Sequence, residues 1–334
     1  MANNFYTYPS FPSTRMRRNR LKDWSRRLIK EHTLTVNDLI WPIFISTDKK
    51  SEITSMPGVH RIPLSEIAKY AKQAQNIGIP AIALFPETNP ILKDDSGKEA
   101  LNKNNLVCEA TRIIKNECKS IGIITDVALD PYTSHGHDGI MKNNEILNDE
   151  TLEILGQQAI NQAMAGADII APSDMMDGRV QHIRKMLDKN NLQNIQIMSY
   201  AAKYASNFYG PFRNAIGSDN NLSNKSKKSY QMDYSNSNEA LKEVQLDISE
   251  GADMVMIKPG MPYLDIIYKI KTEFKMPTYA YQVSGEYSMI KNAIINKHLS
   301  ENTIIESLTC FKRAGADGIL TYFAFEAAKI LNNE

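Results

Sequence analysis

Two lysines close apolar runs in this 334-residue chain: Lys258 follows Met254-Val-Met-Ile257, and Lys203 follows Ile195-Gln-Ile-Met-Ser-Tyr-Ala-Ala202. An arbitrary lysine belongs on the surface, but one at the end of a buried strand is carried into a pocket. There it is desolvated, and a second ammonium nearby penalises its charge further. Both effects lower the pKa and supply the free amine that attacks a ketone to form a Schiff base. Two such lysines suit two carbonyl substrates, or one amine for binding and one for proton transfer.

Two further segments carry chemical groups. Thr125-Asp-Val-Ala-Leu-Asp-Pro-Tyr-Thr-Ser-His-Gly-His-Asp-Gly139 holds two histidines and three carboxylates within fifteen residues. Such a set ligates a metal or relays protons; the alternative is a polar surface loop whose histidines bond to the backbone. The other segment opens with Asn207-Phe-Tyr-Gly-Pro-Phe-Arg213 and runs to about Asn238, poor in apolar residues and bearing Arg213, Lys225, Lys227 and Lys228. A structureless loop of that length directly behind a lysine-bearing strand reads as an active-site lid. Its cations would clamp a substrate carboxylate and exclude water on closing.

The elements that must position these groups follow from an alternation. Short apolar runs, rich in β-branched residues, occur at 40–45, 81–85, 121–128, 168–171, 195–199, 253–257, 278–283 and 318–323, eight in all. Helical spacing separates them, as at Ile154, Ile160, Ala163 and Met164 before the fourth run. Buried strands alternating with amphipathic helices predict parallel βαβ units. Gly166-Ala-Asp, Gly251-Ala-Asp and Gly315-Ala-Asp enter three of the runs, glycine supplying the left-handed residue that closes a helix. Eight strands, without a glycine-rich phosphate fingerprint after the first, predict an α/β fold of the (β/α)8 TIM-barrel type rather than an open sheet. The catalytic face of such a barrel lies where strands end. Polar residues stand there in turn: Asp126 and Asp130, Ser173 and Asp174, Lys203, Lys258, Ser284 and Glu286, and Tyr322.

Residues 1–34 differ from the rest, with prolines and aromatics lacking a period and a basic run from Arg15 to Lys30. They read as a solvated arm or as one that packs on a neighbouring subunit, leaving 35–334 as a single catalytic barrel. A net charge of +1 gives no reason to expect nucleic acid or a membrane surface as partner. No apolar run approaches the roughly 18 residues needed to span a bilayer. The first residues lack the apolar core of a signal peptide. Three scattered cysteines, Cys108, Cys118 and Cys310, match neither a disulfide framework nor a metal pair. The expectation is a cytoplasmic enzyme.

Over nearly its whole length the chain resembles the porphobilinogen synthase (δ-aminolevulinic acid dehydratase) family. The matching segments include Met56-Pro-Gly-Val-His-Arg61, Asp130-Pro-Tyr-Thr-Ser-His-Gly-His137, Pro172-Ser-Asp-Met-Met-Asp-Gly178, Phe208-Tyr-Gly-Pro-Phe-Arg213, Lys258-Pro-Gly260 and Tyr281-Gln-Val-Ser-Gly-Glu-Tyr287. The resemblance implies condensation of two molecules of 5-aminolevulinate to porphobilinogen, with Lys258 holding the propionate-side substrate and Lys203 the acetate-side one. It places Ser284 and Tyr322 on the first carboxylate, and Arg213, Gln231 and Lys227 on the second, with Asp126 near the lysines for proton transfer. Zinc-dependent members carry three cysteines where this chain has Ala128, Asp130 and Asp138, so no catalytic zinc is expected. Asp130 and Asp138 would hold water, a monovalent ion or weakly bound magnesium. The resemblance further implies an allosteric magnesium on Glu243, with Asp177 as an outer partner, no organic cofactor, and an octamer built from dimers that embrace through their arms.

Two other readings of the residues are a class I aldolase-like barrel and a non-catalytic scaffold barrel. The first needs a single essential lysine and commonly a phosphate site late in the barrel. The second is expected to lose its strand-end lysines or lid cations.

Overall fold

All eight apolar runs are strands of a closed parallel barrel in the computed structural model, which describes residues 10–216 and 226–333. They are β1 (Leu39–Ser46), β2 (Ala81–Pro86), β3 (Gly122–Val127), β4 (Ile169–Pro172), β5 (Gln196–Lys203), β6 (Met254–Lys258), β7 (Thr278–Gln282) and β8 (Gly318–Thr321). Each pairs with its successor, and β8 returns to β1 through Leu39 opposite Ile319 and Ile40 opposite Leu320. These strands are enclosed on both faces, which is why they read as continuous apolar runs rather than as alternations. Helices α1 (Leu64–Asn76), α2 (Leu106–Glu117), α3 (Asn148–Ala165), α4 (Arg179–Lys189), α5 (Asn238–Ser249), α6 (Leu264–Phe274), α7 (Ser284–Ile295), α8 (Asn302–Ala314) and α9 (Ala324–Asn333) cross between them or close the chain. No helix among the described residues is long and apolar enough to cross a membrane.

The repeated Gly-Ala-Asp triplet does more than end helices. Gly166, Gly251 and Gly315 adopt φ of 111°, 108° and 106°, the left-handed form expected of a helix stop. Each aspartate then accepts the N–H at the start of the preceding barrel strand: Ile123 to Asp168, Ile197 to Asp253 and Thr278 to Asp317, all at 2.7 Å. In return the aspartate N–H donates to that same residue's carbonyl at 2.7–3.0 Å. The triplet is thus a staple at the N-terminal face of the barrel, opposite the lysines.

Helix α3 departs from the expected apolar stripe. Ile160 and Ala163 are buried, but Ile154 is only half-buried and Met164 is 69% exposed. The inward face of α3 carries amides in their place. Gln162 donates to the carbonyl of Asp126 at 2.9 Å, Gln158 to that of Ala128 at 3.3 Å and Asn161 to that of Leu101 at 3.0 Å. The amide N–H of each donates to a backbone carbonyl, and Gln162 and Gln158 thereby hold the chain that carries Asp126.

Contacts divide the chain into two units, Met1–Thr33 and Leu34–Glu334. In the first, a short helix at Asp23–Leu28 follows a 3-10 turn at Met16–Arg20, and Asp23 pairs with Arg26 and Arg27. Phe11, Met16, Leu21, Trp24 and Leu28 are all exposed, so the described residues of this unit form no core of their own. The arm's first nine residues, including Tyr6, lie outside the described residues.

Candidate active site

Lys203 and Lys258 end adjacent strands and are register partners across them. Both are buried to 5% exposure. Their surroundings differ. The Lys258 amine sits among four rings, with centroids at 4.8 Å (Tyr281), 4.9 Å (Phe212), 5.1 Å (Tyr200) and 5.3 Å (Tyr209). Ring faces favour an ammonium. Burial and then the Lys203 charge nevertheless outweigh the nearby aspartates and bring Lys258 down to about 7. The Lys203 amine donates to the Ser173 carbonyl and lies 3.4 Å from Asp138.

Asp126, on β3, is pushed up to about 6 by burial and then by Asp130, against Ser173 and the two lysines. A carboxyl near 6 beside an amine near 7 can exchange protons at neutral pH with little driving force lost. Glu286 supports the same centre from behind. Its carboxylate accepts the N–H groups of Val283 at 2.6 Å, Gly260 at 3.4 Å and Met261, pinning the turn directly after Lys258. Burial raises its carboxyl to about 7 against those three donors.

The described residues of the 207–238 segment, read above as a lid, are more ordered than a structureless loop. Within it, a turn at Asn207–Tyr209 and a helix at Gly210–Ala215 lead out, and a second turn at Lys227–Ser229 leads back. Tyr209, Ala215, Ile216, Gln231 and Met232 are buried, and Met232 bonds to the strand extension through Lys203 and Ala205. A few apolar anchors suffice because the backbone is paired. Lys225 falls outside the described residues. Ser284 ties the lid base to α7, accepting the Phe212 N–H at 2.9 Å and donating to the Phe208 carbonyl at 3.4 Å. Tyr322 bonds Tyr281 through their hydroxyls at 2.8 Å. Arg213 is half-buried and near enough to Lys227 to repel its charge.

Asp130 and Asp138 face a lid cation in this state. Lys227 reaches Asp138 at 2.8 Å and Asp130 at 3.3 Å. Burial opposes the charge on Asp138, but Lys203 and Lys227 outweigh it and hold its carboxyl well below the usual range. His137 bonds the Tyr230 hydroxyl at 2.9 Å, and its backbone carbonyl accepts from Thr133. Asp174 accepts the Met176 N–H and lies 3.8 Å from Arg179, with burial raising it to about 7.

Glu243 and Asp177 lie apart from this centre, lining a cavity of about 550 Å³ together with Glu239, Lys228 and Gln231. Burial raises the Glu243 carboxyl; Arg179 opposes this, and Asp247, Asp177 and Glu239 add to it. Carboxylates that repel each other in a cavity of this size have the charge and the room for a hydrated cation. Among the described residues no group of three or more His, Cys, Asp or Glu forms a protein-only metal cage.

The structure brings Lys203, Lys258 and Asp126 to one centre and sets Ser284 and Tyr322 against its ring wall, whereas Gln231 lines the separate cavity beside Glu243. Glu286 stood in the sequence only as a polar strand-end residue, without its anchoring role, and the aromatic enclosure, the Tyr230 contact and the Gln162 brace lay outside the sequence reading. Tyr200 and Tyr281 stand in the strand runs themselves, where an aromatic among aliphatics was the available signal.

This architecture coincides with that of known proteins. The family profile described as delta-aminolevulinic acid dehydratase matches residues 13–330. The delta-aminolevulinic acid dehydratase of Bradyrhizobium diazoefficiens is 57% identical over 323 residues, covering 96% of this chain and 91% of that protein. That of Methanothermus sociabilis is 51% identical over 318 residues, covering 95% and 98%. A crystal structure of delta-aminolevulinic acid dehydratase (porphobilinogen synthase) from Toxoplasma gondii, bound to the reaction product porphobilinogen, superimposes with a TM-score of 0.94 at 44% identity, covering 98% of this chain and 95% of that one. Fold and relatives agree, and the chain belongs to the delta-aminolevulinic acid dehydratase family.

Proposed function

We infer that the chain condenses two molecules of 5-aminolevulinate into porphobilinogen with loss of two waters, as a step of tetrapyrrole (haem) biosynthesis. The observation that carries this reading is the pair of buried lysines set side by side at adjacent strand ends, one of them brought to about 7. Each amine attacks one ketone; a C=N bond forms and the ketone oxygen leaves as water. Lys258 serves the propionate-side substrate and Lys203 the acetate-side one, and Asp126 carries protons between them. Ser284 and Tyr322 exchange their present partners for the first carboxylate. Arg213, Gln231 and Lys227 take the second as the lid settles. An aldolase-like reading is disfavoured by the second buried lysine.

Alanine at position 128 offers no metal ligand, and Asp130 and Asp138 are hard oxygen donors, so the chemistry does not run through a zinc thiolate site. Magnesium would sit in the separate cavity on Glu243, with waters completing its shell and Asp177 outside it. There it would add positive charge beside the lid segment 228–231, which lines the same cavity. No organic cofactor enters, because the lysines provide the imine themselves. Exposed aromatics of the 10–33 segment suit docking on a second copy, in an octamer built from dimers, and the enzyme works in the cytoplasm without nucleic acid or membrane.

Borohydride added with 5-aminolevulinate should label Lys258 and, at saturation, Lys203. Peptide mapping that finds only surface lysines labelled, or label independent of substrate, would sink the reading. Activity should survive a zinc-selective chelator and rise with magnesium, with Glu243→Ala blunting the rise. Loss that only zinc restores would refute the metal assignment.

A further inference from the structure

Asp130 and Asp138 form a buried pair of carboxylates at 8% and 0% exposure, and the condensation as written above gives them no step. Two buried anions need a compensating cation. Oxygen donors of this type ordinarily take a divalent ion such as Mn²⁺ or Mg²⁺. Here the compensation comes from the chain: the Lys227 ammonium lies 2.8 Å from Asp138 and 3.3 Å from Asp130. Three residues further on, the Tyr230 hydroxyl bonds His137 at 2.9 Å and accepts the Asp138 N–H at 3.4 Å. Two lid residues therefore seat on one loop, on both sides of the acidic pair. The other oxygen of Asp138 faces Lys203 at 3.4 Å.

We propose that Lys227 is a tethered counter-ion whose ammonium fills the place between Asp130 and Asp138, keeps divalent metal out of that pair, and links the lid position to Lys203 through Asp138. This rests on the reading of Lys203 and the lid given above. When Lys227 leaves for a substrate carboxylate, Asp138 is left with Lys203 as its cation. The carboxylate pair is then a latent metal site, closed by one lysine rather than by its own donor chemistry.

Direct Mn²⁺ binding, followed by electron paramagnetic resonance on the full-length protein, tests this. Glu243→Ala is placed in every variant to silence the cavity site, and the readout is the part of Mn²⁺ binding that Asp138→Asn abolishes. Lys227→Met should create one such site per chain, at least about ten-fold tighter than in the parent. Lys227→Arg, which restores a cation, should bind no better than the parent; Lys227→Gln stands in if the methionine variant does not fold. The proposal is overturned if the parent already holds Mn²⁺ in an Asp138-dependent way, or if neither neutral variant gains it. Borohydride labelling of wild-type Lys258 is scored separately, so failure of the tether leaves the Schiff-base reading standing, and the converse.

Discussion

The two lysines share a register position on neighbouring strands but not an environment. Lys258 is walled by four rings, and its turn is fastened by Glu286 to three backbone N–H groups. Lys203 instead meets a carbonyl and Asp138, which is itself shared with the lid. One amine is thus prepared by an aromatic enclosure drawn from two barrel strands and the base of the lid, already closed around it in this structure. The other is governed by charges that move with the lid. On the proposed reading the difference gives an order: Lys258 would react in the free enzyme, and Lys203 would come into play as the lid cations are redistributed.

Replacing the lysines gives the largest expected effects and the sharpest break. Lys258→Met should lower kcat by about a thousand-fold or more, the scale of losing a covalent nucleophile. Lys203→Met should lower it comparably yet leave substrate-dependent borohydride labelling of Lys258 intact. Equal loss of Lys258 labelling in both variants, measured by peptide mass spectrometry, would erase the proposed order.

The pH dependence separates the two surroundings next. Labelling of Lys258 requires its free amine, which is the minor form below a pKa of about 7 and the major form above it. The single-turnover labelling rate should therefore climb through about pH 7 and then level. Phe212→Ala admits water to the amine and should move that midpoint upward by about one unit, toward the ordinary lysine value. A midpoint unchanged in the variant would remove the ring wall as the cause.

The fold and the lysines were legible for one reason: barrel strands are buried on both faces, so their positions and ends stand out as apolar runs that stop at polar residues. The ring enclosure was not legible, because Tyr200, Tyr209, Phe212 and Tyr281 come from separate segments that only barrel closure and the lid helix bring together. Nor was the contact of Lys227 with Asp138, a pairing of charges 89 positions apart by the numbering. Residues of both signs are common enough that chain distance says nothing about which will meet. Met164 shows the same limit on a helix, where spacing favoured an apolar face but the barrel needed amides to hold the backbone near Asp126.

Steric tests probe the Lys258 side with smaller effects. A Cβ on Gly260 would lie 2.4 Å from a Phe311 ring carbon and 2.9 Å from the Tyr281 carbonyl oxygen. Gly260→Ala should cost about 1–3 kcal/mol by overpacking and displace the turn behind Lys258. Thermal denaturation should show the loss, and labelling of Lys258 should slow more than binding of substrate weakens. Unchanged labelling would mean that this turn does not set the amine.

The opposite face of the barrel provides the control with the smallest effect. Asp253 accepts the Ile197 N–H at 2.7 Å at the start of β5, the strand whose other end carries Lys203. Asp253→Ala removes that acceptor near solvent, where water can replace it, so the cost should be about 0.5–1.5 kcal/mol. Because β5 is paired along both neighbours before it reaches Lys203, the strand end should keep its place. Denaturant unfolding should shift its midpoint while kcat and the labelling pattern stay as in the parent. A fall in Lys203 labelling alone would show that strain at the staple travels the length of β5, and that Lys203 is set by the strand as much as by the lid.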